Sequence, residues 1–221
     1  MKPVQNNGMV YCFMPTGCIQ TNTPIIGNVQ TGNYILCDVG GDAECVIKRA
    51  KAIGLTNCIA VFFTHGHYDH IAGAHDIKKL TNAPLCINRN DEYLYNQVEM
   101  QRKSFTLPEV EQPPQIDFLM NEGDSINIDG IVGVLIHTPG HSPGSSCLYF
   151  HQQNLLVTGD TLFEGSCGRT DLWDGNARLM KDSIINKLFT LPKETIVIPG
   201  HGSRTTTIGK ESKSNLISSV A

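Results

Sequence analysis

Three imidazoles and one carboxylate fall within the six residues His65-Gly66-His67-Tyr68-Asp69-His70. Imidazole nitrogen and carboxylate oxygen together suit a divalent metal. Histidine is close to neutral at pH 7, so surface charge gives no reason to gather three of them in so short a stretch. The apolar run Cys58-Ile59-Ala60-Val61-Phe62-Phe63 precedes the cluster and reads as a buried strand. The ligand types therefore sit in a loop at a strand end. Asp69 and His70 are adjacent and can point to different sides of that loop, which favours two ions over one.

Three further candidates share one syntax. His141 follows the strand-like run 131–137 through Thr138-Pro139-Gly140, Asp160 follows the run 155–158 after Gly159, and His201 follows the run 195–199 after Gly200. Each time an apolar strand ends, a glycine lets the backbone turn sharply, and one ligand residue comes next. Four strand ends thus deliver His65, His67, Asp69, His70, His141, Asp160 and His201 to one edge of the fold. One tetrahedral zinc takes three or four protein ligands. Seven exceed one ion and suit two that share a carboxylate. The expected cofactor is two divalent metal ions, zinc foremost, with iron or manganese as alternatives. His75 in a predicted helix and His151 at a strand end read as surface residues. His137, four residues before His141, reads as a core-edge histidine.

The elements that must hold these residues follow from hydrophobic runs bounded by Gly, Pro, Asn and Asp. Strands are expected at 9–14, 33–39, 58–63, 131–137, 146–150, 155–158 and 195–199. Helices are expected from an Asp42 cap to Ile53, with Gly54 as the stop, and at 73–80, 91–99 and 177–189. Residues 101–115 carry Pro108, Pro113 and Pro114 and read as an irregular crossing able to act as a substrate lid. Periodicity alone supports an α/β or α+β class. The length of 221 residues fits one domain over 1–221. A net charge of −4 argues against a nucleic-acid partner. No apolar run approaches a membrane span, and the first residues lack the apolar segment of a secretory signal. A cytoplasmic location with all eight cysteines reduced is the expectation.

The motif His-x-His-x-Asp-His with its downstream His, Asp and His resembles the metallo-β-lactamase superfamily, over most of the chain. The resemblance implies an αββα sandwich of two mixed β-sheets with helices on both outer faces. It implies one metal on His65, His67 and His141, a second on Asp69, His70 and His201, and Asp160 as the bridge, with Asp38 of Asp38-Val39-Gly40 standing behind the ligands. Thr138-Pro139-Gly140-His141-Ser142-Pro143-Gly144-Ser145 and Gly159-Asp160-Thr161-Leu162-Phe163 resemble the thioesterase and persulfide-dioxygenase branch. The string from Gly165 to Leu172 and the tail from Pro199 to Glu211 are most similar to stand-alone glyoxalase II-like hydrolases, the Cys167-Gly168-Arg169-Thr170-Asp171 part being shared with persulfide dioxygenases. The helical C-terminal domain of full-length glyoxalase II is expected to be missing, since twenty residues follow His201. The glyoxalase segment Cys-Gly-Lys-Phe is here Cys167-Gly168-Arg169-Thr170, so glutathione-binding residues do not carry over.

The implied activity is hydrolysis of acyl-thioesters such as S-lactoylglutathione by a hydroxide bridging two metals. Asp69 and Asp160 are then catalytic as well as ligating, and Arg169 either forks a substrate carboxylate or pairs with Asp171. A mononuclear iron persulfide dioxygenase of the same fold, using His65, His141 and Asp160, is the alternative. A phosphodiesterase or a metal-dependent binding module is a third.

Overall fold

The structure is a computed structural model that describes residues 1–217. Its first sheet takes seven strands in chain order. β1 (Val4–Asn6), β2 (Met9–Thr16), β3 (Thr21–Asn28) and β4 (Asn33–Cys37) form an antiparallel meander. β5 (Asn57–Phe63), β6 (Leu85–Asn88) and β7 (Phe118–Met120) continue it in parallel. The second sheet has six strands, also in chain order. β8 (Ser125–Ile128), β9 (Ile131–His137), β10 (Ser146–Phe150) and β11 (Leu155–Gly159) are antiparallel neighbours. β12 (Ile196–Pro199) runs parallel to β11, and β13 (Thr206–Thr207) antiparallel to β12.

Helices cover both outer faces. α1 (Ala43–Ala52), α2 (Tyr68–Ile71), α3 (Ala74–Thr81), α4 (Glu92–Tyr95) and α5 (Val98–Phe105) accompany the first sheet, and α6 (Ala177–Asn186) and α7 (Ile208–Ser214) the second. Three apolar layers result. Met9, Tyr11, Phe62, Leu135, Leu148 and Phe150 pack between the sheets. Val46, Ala50, Leu36, Val61 and Ile77 join the first sheet to its helices. Cys147, Leu156, Met180, Ile184 and Val197 do the same for the second. This is the αββα arrangement expected above. Strands covered on both faces read as continuous apolar runs, which is why β5, β10 and β11 stand out in the sequence.

Some expectations need correction. Asp42 is not a side-chain cap of α1. Its backbone is left-handed (φ 53°), whereas a capping residue is normally extended. Its carboxylate instead accepts from the Gly17 N–H at 2.8 Å, tying the β2–β3 turn to the helix start. The helix expected at 91–99 is two helices, α4 and α5, broken at Asn96 and Gln97, and α5 takes up the start of the region expected to be an irregular crossing. The Gln101 side chain donates to the Leu94 carbonyl, one of those the break exposes. The last predicted helix ends at Asn186, and Phe189 lies in a separate short turn. All eight cysteines are free thiols. Among the described residues no helix is long and apolar enough to cross a membrane.

Candidate metal centre

The ends of β4, β5, β9, β11 and β12 bring the candidate residues together. Three groups of potential ligand atoms lie within 4.8 Å of one another: His65, His67 and His141; His65, His70 and Asp160; and Asp69, His70 and His201. All seven residues expected from the sequence take part. Two glycines permit the approach. A Cβ on Gly200 would run into the Asp160 carboxylate, and Gly159 is left-handed (φ 48°), where a Cβ would run into the Thr64 side chain.

Three of the five histidines are held from outside and face inward. His65 Nδ1 lies 3.0 Å from Thr64 Oγ1, His70 Nδ1 2.9 Å from Asp38 Oδ2, and His141 Nδ1 2.7 Å from the Arg169 carbonyl. Asp38 also accepts from the N–H and hydroxyl of Thr64, so one carboxylate steadies His70 directly and His65 through a threonine. Outer partners of this kind fix the ring orientation of ligating histidines. On the inward side, His65 Nε2, His67 Nε2, His70 Nε2 and Asp160 Oδ1 are buried without a hydrogen-bond partner. Leaving such an atom unpaired costs about 1–3 kcal/mol. Four of them in one place fit divalent cations. His67 Nδ1 and His141 Nε2 also face each other at 2.7 Å. Asp160 touches both sides of the cluster, with Oδ1 3.3 Å from His70 Nε2 and Oδ2 3.5 Å from both His141 Nε2 and His201 Nε2. Asp69 Oδ2 lies 3.1 Å from His201 Nε2 and accepts from Thr21 Oγ1 at 2.7 Å.

Without metal the cluster divides by charge. Burial, then the neighbouring rings His70, His141 and His67, hold His65 well below the usual histidine range. Burial and His141 bring His67 down to about 3. Burial would also lower His70, but Asp69, Asp38 and Asp160 outweigh it and raise this imidazole well above its ordinary value. The same contest, burial against Asp160 and Asp69, leaves His201 at about 9. Burial would raise Asp69 and Asp160, but both are held low, chiefly by His70 and by hydrogen bonding to His201.

Arg169 lines the adjoining cavity, but its guanidinium is paired bidentately with Asp171 (2.7 and 2.8 Å), the second of the two roles the sequence allowed. Its backbone carbonyl, not its side chain, reaches His141. His137 donates to or accepts at no ligand; its Nε2 bonds the Pro143 carbonyl at 2.8 Å.

The cavity above the cluster has a volume of about 460 Å³. Its floor is His67, Asp69, His141, Asp160 and His201, and its walls include Phe105, Leu107, Phe163, Leu172 and Trp173. Trp173 stacks near His67 and Phe105 (centroids 5.5 Å from each), and Phe163 near His201 (6.0 Å). Of residues 107–116 Leu107 lines the cavity, and the segment is tied down where the Pro108 and Pro114 carbonyls accept from the hydroxyls of Tyr68 and Tyr95. Sequence reasoning missed Thr21, Gln101, Asp91 and the aromatic wall. Trp173 alone carried a signal, as the one tryptophan of the chain, in a glycine-rich loop after a ligand.

The chain belongs to the metallo-beta-lactamase superfamily, whose family model matches residues 16–201. Hydroxyacylglutathione hydrolase GloC of Haemophilus influenzae is 34% identical over 204 residues, 92% of this chain and 95% of that protein. The probable metallo-hydrolase YqgX of Bacillus subtilis is 33% identical over 193 residues, 87% of this chain and 90% of its own. Among solved structures, the B3 metallo-beta-lactamase BLEG-1 superposes with a TM-score of 0.86 at 33% identity, over 94% of this chain and 99% of that one. TTHA1623 in a di-iron-bound form gives 0.81 at 28% identity, over 91% and 97%. ETHE1 from Myxococcus xanthus gives 0.77 at 26% identity, over 94% and 85%.

Proposed function

We propose that this protein is a metal-dependent hydrolase of acyl-thioesters, S-lactoylglutathione among them, working with two divalent ions, zinc foremost. The observation that carries the reading is Asp160, whose two oxygens reach both sets of inward-facing histidines at the floor of an apolar-walled cavity. The likeness to a hydroxyacylglutathione hydrolase supports the substrate class, and the di-iron form of a similar structure supports a two-ion site. Ions held by His65, His67 and His141 and by Asp69, His70 and His201, with Asp160 between, would supply an activated water and polarise the thioester carbonyl.

The chain's own groups do the rest. Asp38, Thr64 and the Arg169 carbonyl fix the rings, Thr21 fixes Asp69, and Phe105, Leu172 and Trp173 screen the reacting carbonyl from bulk water. A thiolate leaves readily, so the reaction needs no acid to protonate it. The carboxylates at the cavity floor, Asp69 and Asp160, are both committed to the cluster. The small-molecule substrate, the absence of a nucleic-acid partner and a cytoplasmic location belong to the same proposal.

Protein loaded with zinc, manganese or iron and then desalted is expected to retain about two ions per chain, since seven ligands exceed the needs of one. Elemental analysis measures this. Steady-state assays on S-lactoylglutathione are expected to give turnover with weak saturation. The walls are largely apolar, and the guanidinium of Arg169, a residue that lines the cavity, is already engaged by Asp171. Binding lost equally from ground and transition states raises KM alone. Asp171→Asn frees that fork and is expected to lower KM by about threefold, in line with a weak exposed pair. Arg169→Ala in the same background should cancel the gain, and Arg169→Lys should keep part of it, lacking the planar fork. Oxygen uptake on glutathione persulfide with one iron per chain, and no thioester hydrolysis under any metal, would overturn the reading in favour of the dioxygenase.

A further inference from the structure

Asp91 lies outside the seven ligands, yet it is fully buried and touches both loops that carry the three-histidine group. Its Oδ2 accepts from the Gly66 N–H at 2.8 Å, between His65 and His67. The same oxygen accepts from the Ser142 hydroxyl at 2.6 Å, next to His141. Its Oδ1 accepts from the Gly144 N–H. The two loops come from different sheets, since β5 precedes one and β9 the other. Gln101, also fully buried, holds the other side of the Gly66 peptide: its Nε2 donates to the Gly66 carbonyl at 2.9 Å and its Oε1 accepts from the Tyr68 N–H at 2.8 Å. Packing leaves no slack. A Cβ on Gly144 would run into Asp91, and one on Gly66 into the backbone of Asp91 and Tyr95. Burial pushes the Asp91 carboxyl up, against the pull of its Ser142, Gly66 and Gly144 donors.

We infer that Asp91 is a positioning residue that sets the spacing of His65, His67 and His141 across the two sheets, separately from the group formed by Asp69, His70 and His201. Its contacts fall beside first-group ligands, with Gly66 between His65 and His67 and Ser142 next to His141, although the Gly66 segment runs on to Asp69 and His70. The second group is anchored from elsewhere, by Asp38 on His70 and Thr21 on Asp69. A carboxylate suits the task because it accepts from all three donors at once, whereas an amide turns N–H toward one of them. The inference rests on the two-metal reading above.

Zinc affinity, measured by competition with a chromophoric chelator, tests it in two backgrounds. In His201→Ala, which cripples the second group, adding Asp91→Asn is expected to weaken the remaining zinc by about 10–100-fold, the usual effect of losing an outer partner. In His67→Ala, which cripples the first, the same change is expected to cost clearly less, since Asp69 and His70 keep Thr21 and Asp38 as their own anchors. The cobalt-substituted His201→Ala protein should show an altered visible spectrum with Asp91→Asn. Near-ultraviolet dichroism of the metal-free proteins checks folding. Should Asp91→Asn fail to fold, Ser142→Ala removes one donor alone and is expected to weaken first-group zinc in the same direction by a smaller factor. Equal losses in both backgrounds, or none in His201→Ala, would overturn the inference. If the parent protein takes only one ion, the two-metal reading fails, and Asp91 is then judged on that ion: an unchanged affinity in Asp91→Asn overturns its role, and a loss of tenfold or more sustains it.

Discussion

Asp160→Ala is expected to lower thioester turnover by at least about 10³-fold, ~4 kcal/mol of transition-state stabilisation, in a protein that stays folded. The size of the effect follows from geometry. Asp160 approaches His70, His141 and His201 at once, so it is the group that joins the two halves of the cluster. Removing it takes away the shared negative charge between two cation sites and lets them drift relative to each other. A small misplacement of reacting groups is costly out of proportion to its size. The fold is expected to survive because Asp160 lies beyond β11, outside the three apolar layers, and its backbone carbonyl still accepts from Gly168. Asp160→Asn keeps the shape and one acceptor oxygen but not the charge, and is expected to fall between the two. The measurements are kcat/KM, metal content and circular dichroism on the same preparations. Near-normal turnover in the alanine variant would remove Asp160 from the site.

The ligand set was legible because four members crowd into six residues after one apolar strand and the other three each follow an apolar strand and a glycine, patterns carried by short stretches of chain. Strand β3 was not legible. Thr21–Asn28 reads Thr-Asn-Thr-Pro-Ile-Ile-Gly-Asn, with a proline at its centre, and a proline argues against a central strand. Yet every residue is buried, and Pro24 lies opposite Phe13 with β2 and β4 on either side. The surroundings override the local preference. The short strands β1, β7 and β13 exist only through pairing with a neighbour, which no local pattern announces. Asp91 illustrates the remaining gap. In the sequence it opens a helix, where an aspartate is commonplace. Its use depends on Gly66 and on residues 142–144, brought to it from both sheets. The two roles of Arg169 could be weighed but not separated, because the pairing with Asp171 is a matter of rotamer.

Metal removal is expected to make the protein's stability strongly dependent on pH, and metal binding to release protons at pH 7. In the metal-free cluster burial opposes charge on both His70 and His201, but the facing carboxylates prevail: His70 sits well above the usual value of 6.5 and His201 at about 9. A folded pKa above the unfolded one gives stabilisation that is complete below about 6.5 and disappears as pH rises through about 9. His65 and His67 have the opposite sign. Burial and neighbouring rings hold His65 far down and His67 at about 3, so their share is present above 6.5 and is lost as pH falls toward 3. The chelator-treated protein should therefore melt highest near pH 6.5 and progressively lower on both sides. Divalent ions need neutral imidazoles, so at pH 7 they must displace the protons of His70 and His201. Apparent zinc affinity is then expected to rise with pH up to about 9, by about tenfold per unit for each proton displaced. Melting curves from pH 4 to 10, with and without zinc, test the first part, and calorimetric titration in two buffers of different ionisation heat counts the protons. Zinc binding at pH 7 without proton release would mean that His70 and His201 are neutral before the metal arrives and would overturn the division of charge that the carboxylates around them imply.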